Sequence, residues 1–122
     1  MLYKREEAYR YTFPQPVPCR FSIISVGQLR ARTSKGKGEL IDISPNGCRF
    51  SADFSIPVEK KVLVQLEMRI HEALLVVNGV LVWSRSNGIT RFYGVEFVKN
   101  DQLKTLITEE VKQVVKANER NK

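Results

Sequence analysis

Residues 61–70 read Lys-Val-Leu-Val-Gln-Leu-Glu-Met-Arg-Ile. Val62, Val64, Leu66, Met68 and Ile70 fall on one face of an extended chain, and Lys61, Gln65, Glu67 and Arg69 fall on the other. A period of two over ten residues is the mark of a half-buried strand. Downstream, His71-Glu72 makes a short connection to a second apolar run, Ala73 through Trp83, and Ser86-Asn87-Gly88 turns the chain into a third, Thr90 to Val98.

Upstream, the same grammar continues. Cys19, Phe21 and Ile23 alternate with Arg20, Ser22 and Ile24, Gly27 marks a turn, and Gln28 to Thr33 can return as a strand. Ser34-Lys35-Gly36-Lys37-Gly38 reads as a polar, glycine-bearing turn, followed by strands at Leu40–Ile43 and Cys48–Ala52. Pro14, Pro16 and Pro18 forbid a helix and suit an extended lead into an edge strand. Six or seven short strands joined by turn residues predict an antiparallel barrel or sandwich.

The last quarter changes period. After Asn100-Asp101, a predicted N-cap, Leu103, Leu106, Ile107, Val111, Val114 and Val115 follow helical spacing, with Glu110, Lys112 and Lys116 on the other face. The expected organisation is therefore an N-terminal arm over residues 1–13, a β-barrel over 14–98 and a helix over 99–122 packed on the barrel. The 122 residues are enough for one domain with its own core.

Composition narrows the function classes. The formal net charge is +7, and no acidic residue lies between Glu7 and Glu39, a stretch holding Arg10, Arg20, Arg30, Arg32, Lys35 and Lys37. Such segregation attracts phosphate-bearing ligands or anionic surfaces. No apolar run is long enough for a membrane-spanning helix, and the charged start, Lys4-Arg5-Glu6-Glu7, does not read as a secretory signal, so the expected location is cytoplasmic. Cys19 and Cys48 lack metal-ligand spacing and are expected to be reduced, half-buried strand residues. The one histidine, His71, falls in a predicted turn, and there is no Walker-type loop, so neither catalysis, a metal nor a cofactor is expected.

Two features carry ligand chemistry. The first is the arm Lys4-Arg5-Glu6-Glu7-Ala8-Tyr9-Arg10; the second is Asp42-Ile43-Ser44-Pro45-Asn46-Gly47, of the form D-x-S-x-x-G between two strands. Asp42 and Ser44 are two apart and project on one face. An ionised aspartate accepts two hydrogen bonds, matching the N–H pair on guanine's Watson–Crick edge, and Ser44 adds one to base or phosphate. Gly47 permits a positive φ or close approach of a ligand to the backbone. Arginines on the arm complement this by pairing bidentately with phosphate or guanine. Ser-Pro-Asn-Gly is also ordinary turn chemistry, so a purely structural role stays open. Trp83 is expected in the core, and Tyr9, Tyr11 and Phe13 as anchors of the arm.

The sequence resembles the PilZ domain family over nearly its whole length. The resembling pieces are the arginine-bearing arm, Asp42-x-Ser44-x-x-Gly47, Gly79-Val80-Leu81-Val82-Trp83, Tyr93-Gly94-Val95-Glu96-Phe97 and the closing helix. The resemblance implies a six-stranded antiparallel β-barrel of the split-barrel type with one C-terminal α-helix. It also implies binding of cyclic di-GMP between an R-x-x-x-R arm and the D-x-S-x-x-G strand. Carried onto this chain, the ligand residues are Arg5, Arg10, Asp42, Ser44 and Gly47, with Lys4, Arg20, Asn46 and Arg49 as further candidates. Four residues before Arg10 stands Glu6, not arginine, so the available pair is Arg5 and Arg10. The implied role is a second-messenger receptor that passes its signal to an unidentified protein effector in motility, secretion or exopolysaccharide production. A degenerate adaptor that acts on protein partners without cyclic di-GMP is the alternative. No DNA or RNA partner is expected, because the predicted strands lack an interleaved basic and aromatic surface.

Overall fold

A computed structural model of the chain describes residues 10–30 and 32–120. Its elements in order are β1 (Tyr11–Val26), β2 (Leu29–Arg30), β3 (Gly36–Ser44), β4 (Gly47–Ala52), β5 (Val62–Arg69), β6 (Leu74–Asn87), β7 (Thr90–Phe97) and α1 (Asp101–Arg120). The strands pair antiparallel in the order β1-β3-β4-β7-β6-β5, and β5 pairs back onto β1 to close the sheet. The short β2 is attached to the end of β1. This is the six-stranded barrel with a C-terminal helix that the strand pattern and the resemblance imply. Closure removes the free sheet edges that an open sheet of this length would expose.

Alternation fills the barrel as expected. Val62, Val64, Leu66 and Met68 of β5 and Leu75, Val77 and Leu81 of β6 point inward, where they meet Phe13, Cys19, Phe21, Leu40, Ile43, Phe50 and Tyr93. The Tyr93 hydroxyl donates to the Phe54 carbonyl and accepts from Ile56 N at 2.8 Å, which ties the 53–61 loop down. Both cysteines are buried, deeper than the half-burial expected of them. Burial pushes the Cys19 thiol up to about 12, with Glu39 adding to the effect. Burial likewise pushes Cys48 well up, reinforced by Cys19 and Asp42 and opposed by Arg10.

Two boundaries differ from the sequence expectation. Strand β1 begins at Tyr11, inside the expected arm, because Tyr11 and Thr12 pair with Ile43 and Asp42, and Phe13 is buried with its ring edge-on to Tyr11 at 5.2 Å. Pro14 and Pro16 lie where the β1–β3 register shifts between Thr12 and Val17, so their missing N–H groups cost no ladder bond there, while Pro18 sits within the ladder opposite Glu39. At the other end, the expected Ser34–Gly38 turn is strand from Gly36 onward. The reason is local: the Phe21 ring fills the space beside Gly36 that a side chain would take.

The helix starts as the N-cap predicts, with Asn100 Oδ1 accepting from Leu103 N at 3.0 Å. Ile107 and Val111 are buried and Leu103 and Val115 half-buried against the core. Glu110 departs from its expected place on the solvent face. It is buried, and Oε1 accepts hydrogen bonds from His71 N at 3.1 Å, Glu72 N at 2.9 Å and Ala73 N at 3.1 Å. One helical carboxylate thus satisfies the backbone of the β5–β6 turn and fixes the helix to the barrel.

Glu110→Ala strands three amide donors, and is expected to lower unfolding free energy by about 2–3 kcal/mol. Urea unfolding together with amide exchange at residues 71–73 and 101–120 measures this, and unchanged protection there contradicts the role. Both thiols are expected to resist an alkylating agent at pH 8 until the protein unfolds. Because the folded Cys19 keeps its proton while an unfolded thiol loses it, stability should fall as pH rises from about 9 towards about 12. A denaturation series across that range checks the sign.

Candidate functional site

The β3–β4 connection is Ser44-Pro45-Asn46-Gly47. Ser44 is buried, and its Oγ accepts from Asn46 N at 3.3 Å and donates to the Gly47 carbonyl at 3.4 Å. The Asn46 carbonyl accepts from Phe97 N at 2.9 Å, which docks the turn on β7. Gly47 does not use a positive φ; among the described residues only Gly27 and Gly88 do. It is glycine because a Cβ there would lie 2.3 Å from the Val95 carbonyl oxygen. Ser44 and Gly47 therefore set the hairpin against its neighbour strand.

Asp42 is on the same face of β3 as Ser44, two residues earlier, and that face is the outer wall of the barrel. Residues directly opposite in antiparallel pairs share a face. The register gives a row across five strands: Thr12, Asp42, Arg49, Gly94 and Trp83. Within it, Asp42 Oδ1 accepts from Arg10 Nη1 at 2.8 Å, and Oδ2 pairs with Arg49 Nη2 at 2.8 Å. The carboxylate is buried beneath the two guanidiniums, with 4% of its side chain exposed against 46% for Arg10 and 42% for Arg49. Arg49 Nε is buried and has no acceptor among the described residues.

Trp83 is not a core residue. Strict alternation from Leu75, Val77 and Leu81 would point it inward, but the β6–β7 register shifts between Leu81 and Trp83 and turns it out. Its indole lies over Gly94, where a Cβ would come within 2.1 Å of Nε1, and it remains 38% exposed. The Arg85 guanidinium carbon sits 6.0 Å from the centre of the Trp83 ring, within cation–π range.

Arg10, Asp42, Arg49, Trp83, Gly94 and Glu96 line one open cavity of about 410 Å³, to which Asn46 and Gly47 contribute the turn. Two guanidiniums (Arg10, Arg49) and two carboxylates (Asp42, Glu96) line it, and Arg85, beside Trp83 at its margin, tips the local charge to positive. Among the described residues no group of histidines, cysteines and carboxylates could hold a metal ion.

The structure brings Arg10, Asp42, Asn46, Gly47 and Arg49 together, with Ser44 behind the turn. It does not bring Arg20, which faces Lys37 and Glu67 and lines a larger cavity of about 720 Å³ elsewhere on the barrel. That second cavity mixes Arg20, Lys37 and Arg69 with Glu39, Asp53 and Glu67, so no net field develops in it. Lys4 and Arg5 lie outside the described residues, as does Glu6. Sequence reasoning missed Trp83 and Glu96 as site residues. A glycine at 94, facing an aromatic on the next strand, is the one local signal of a flat ring laid on the sheet.

The family model described as the PilZ domain matches residues 4–113. Among solved structures, the PilZ domain of CeSA from a cellulose-synthesizing bacterium is similar at 12% identity and a TM-score of 0.58, covering 91% of this chain and 99% of that one. The K. pneumonia protein MrkH in its apo state is similar at 12% identity and a TM-score of 0.64 over 100% of this chain. This chain spans 56% of the MrkH chain. At such identity the likeness concerns the fold alone. No curated protein sequence matches this one.

Because the chain holds one tryptophan, its fluorescence reports this cavity and nothing else. Gly94→Ala puts a methyl group where the indole lies and is expected to lift Trp83 into solvent, shifting its emission to the red. Emission identical to the parent protein would show that the ring does not rest on Gly94.

Proposed function

This chain belongs to the PilZ domain family, and we propose from that premise that it is a non-catalytic receptor for cyclic di-GMP, bound in the cavity over Asp42. The observation that carries this reading is the Asp42 carboxylate clamped between Arg10 and Arg49 on the open wall of the barrel. A carboxylate that holds two guanidiniums by one nitrogen each leaves their other N–H groups free for a second anion. A phosphodiester is planar enough in its two free oxygens to take such paired donors. The unpartnered Arg49 Nε adds a donor that an anion would satisfy.

The base has two places to go. The exposed Trp83 face offers a stacking surface, with Arg85 beside it. The exposed Glu96 carboxylate accepts from the N–H edge of guanine more readily than Asp42, whose oxygens are both taken. Guanine reaches Asp42 itself only past the two arginines that cover it, since 4% of its side chain is exposed. Lys4 and Arg5, on the segment preceding Arg10, supply further cations for the second phosphate.

Arg10 also connects the cavity to the helix, because the next residue, Tyr11, accepts at its hydroxyl from Asn118 Nδ2 at 2.7 Å. Ligand that engages Arg10 therefore loads the last turns of α1, and the altered arm and helix surface is what a protein effector reads. The receptor works in the cytoplasm; no helix among the described residues is long and apolar enough to cross a membrane. A second reading, an adaptor that needs no nucleotide, is favoured by the same ion triad, which satisfies Asp42 without ligand, and by Glu6 where the family places an arginine.

Calorimetric titration with cyclic di-GMP separates the two. Saturable heat is expected, with Arg10→Ala and Arg49→Ala each weakening affinity ten- to hundredfold, as loss of one charged contact of ~1.5–3 kcal/mol requires. Quenching of Trp83 emission should follow the same isotherm. No heat at high micromolar ligand leaves the adaptor reading standing.

A further inference from the structure

The connection between β1 and β3 forms a second charged surface, separate from the cavity. Residues 29–30 and 33–36 lie alongside the last third of β1. Leu29 pairs with Val26, Arg30 with Ser25 and Gly36 with Phe21, and Thr33 N donates to the Ile23 carbonyl at 3.1 Å. Arg30, Arg32, Lys35 and Lys37 are all exposed along this edge. Gly27 N donates to the Lys61 carbonyl at 2.7 Å, so exposed Lys60 and Lys61 join the Leu29 end. The acidic groups nearby are Glu59, exposed beside Lys60; Glu39 and Asp53, which share a cavity with Lys37 at the Phe54 end; and Glu67, which is paired with Lys35 at 2.7 Å. Five of the six cations thus keep no carboxylate partner among the described ion pairs.

Both ends of the strip carry an apolar side chain in water. Leu29 is 74% exposed, and Phe54, which packs against Phe21 and Gly36, is 58% exposed. The register places them five β1 residues apart, roughly 17 Å along the strand. That spacing decides among partners. A protein interface concentrates its apolar residues in a dry centre with charge at the rim, whereas here charge fills the middle and the apolar groups stand at the ends. A single nucleic-acid strand needs flat rings in succession along a basic groove, and leucine offers no ring.

We propose that this strip is a peripheral docking surface for an anionic phospholipid bilayer, in which Arg30, Arg32, Lys60 and Lys61 meet the headgroups and Leu29 and Phe54 enter the acyl boundary. Cations near an anionic leaflet and a few apolar anchors are the two signals that together hold a soluble domain on a membrane. The strip shares no residue with the cavity around Asp42, so the chain can hold a nucleotide and a lipid surface at once.

Cosedimentation of the purified chain with vesicles tests this. Binding is expected to mixed phosphatidylglycerol–phosphatidylcholine vesicles and not to phosphatidylcholine alone, and to fall steeply between low and high salt. Replacing one cation should weaken it about fivefold, so R30Q/R32Q is expected to lose about twenty-five-fold, and Leu29→Ser, at a side chain mostly in solvent, several-fold. Cyclic di-GMP titration of these variants should match the parent, which separates failure here from failure of the receptor reading. Three results would overturn the proposal: no cosedimentation with phosphatidylglycerol vesicles, binding indifferent to Leu29→Ser, or release from vesicles by a random oligonucleotide that binds the Leu29→Ser variant equally well.

Discussion

The fold depends on β1 pairing along both of its sides. Its N-terminal part has β3 as neighbour, and from Cys19 onward β5 pairs on the opposite edge, so one 16-residue strand closes the sheet into a barrel. The functional geography follows from that closure. The start of β1 delivers Arg10 to Asp42, and the end of β1 holds the Leu29–Lys37 edge in place. Phe13, Cys19 and Phe21 on the same strand lie in the core, so neither surface can shift without disturbing the interior.

Burying a carboxylate is costly unless charge and hydrogen bonds compensate it. Asp42 meets that condition with two guanidiniums, but it does so by leaving nearly half of each arginine in solvent. The result is an anchored anion with two cations displayed above it. The neighbours are arranged to permit this. A glycine at 94 leaves room for the indole over the sheet, and a glycine at 47 lets the β3–β4 turn approach the Val95 carbonyl.

Much of the architecture is legible from periodicity, because β5 and the helix stripe each repeat one rule over many residues. What is not legible comes from single events. One register shift in β6 sends Trp83 outward against the alternation of Leu75, Val77 and Leu81. Glu110 sits on the expected polar face of its helix by composition, yet the β5–β6 turn offers three amides in the space it reaches. Asp42 and Arg49 are seven residues apart and become partners only through the hairpin register. The D-x-S-x-x-G pattern locates the hairpin correctly; the division of labour within it, with Ser44 and Gly47 shaping the turn and Asp42 holding arginines, needs coordinates.

The energy available for signalling is bounded by the contact that ligand must compete with. Arg10 is about half exposed, so its bond to Asp42 is screened and resembles a surface ion pair of about 1 kcal/mol more than a buried one. A phosphodiester that engages Arg10 need not overcome a deep well. Moving it, however, leaves Asp42 with Arg49 alone, and a buried carboxylate that loses one of two partners is poorly compensated. Ligand can shift the arm only by the difference in its affinity for the two arrangements. The balance therefore favours a ligand that takes the free N–H groups of Arg10 while the guanidinium stays on Asp42. In that arrangement the proposed signal would pass from Arg10 through its neighbour Tyr11 to Asn118 on α1, without any large displacement of the sheet.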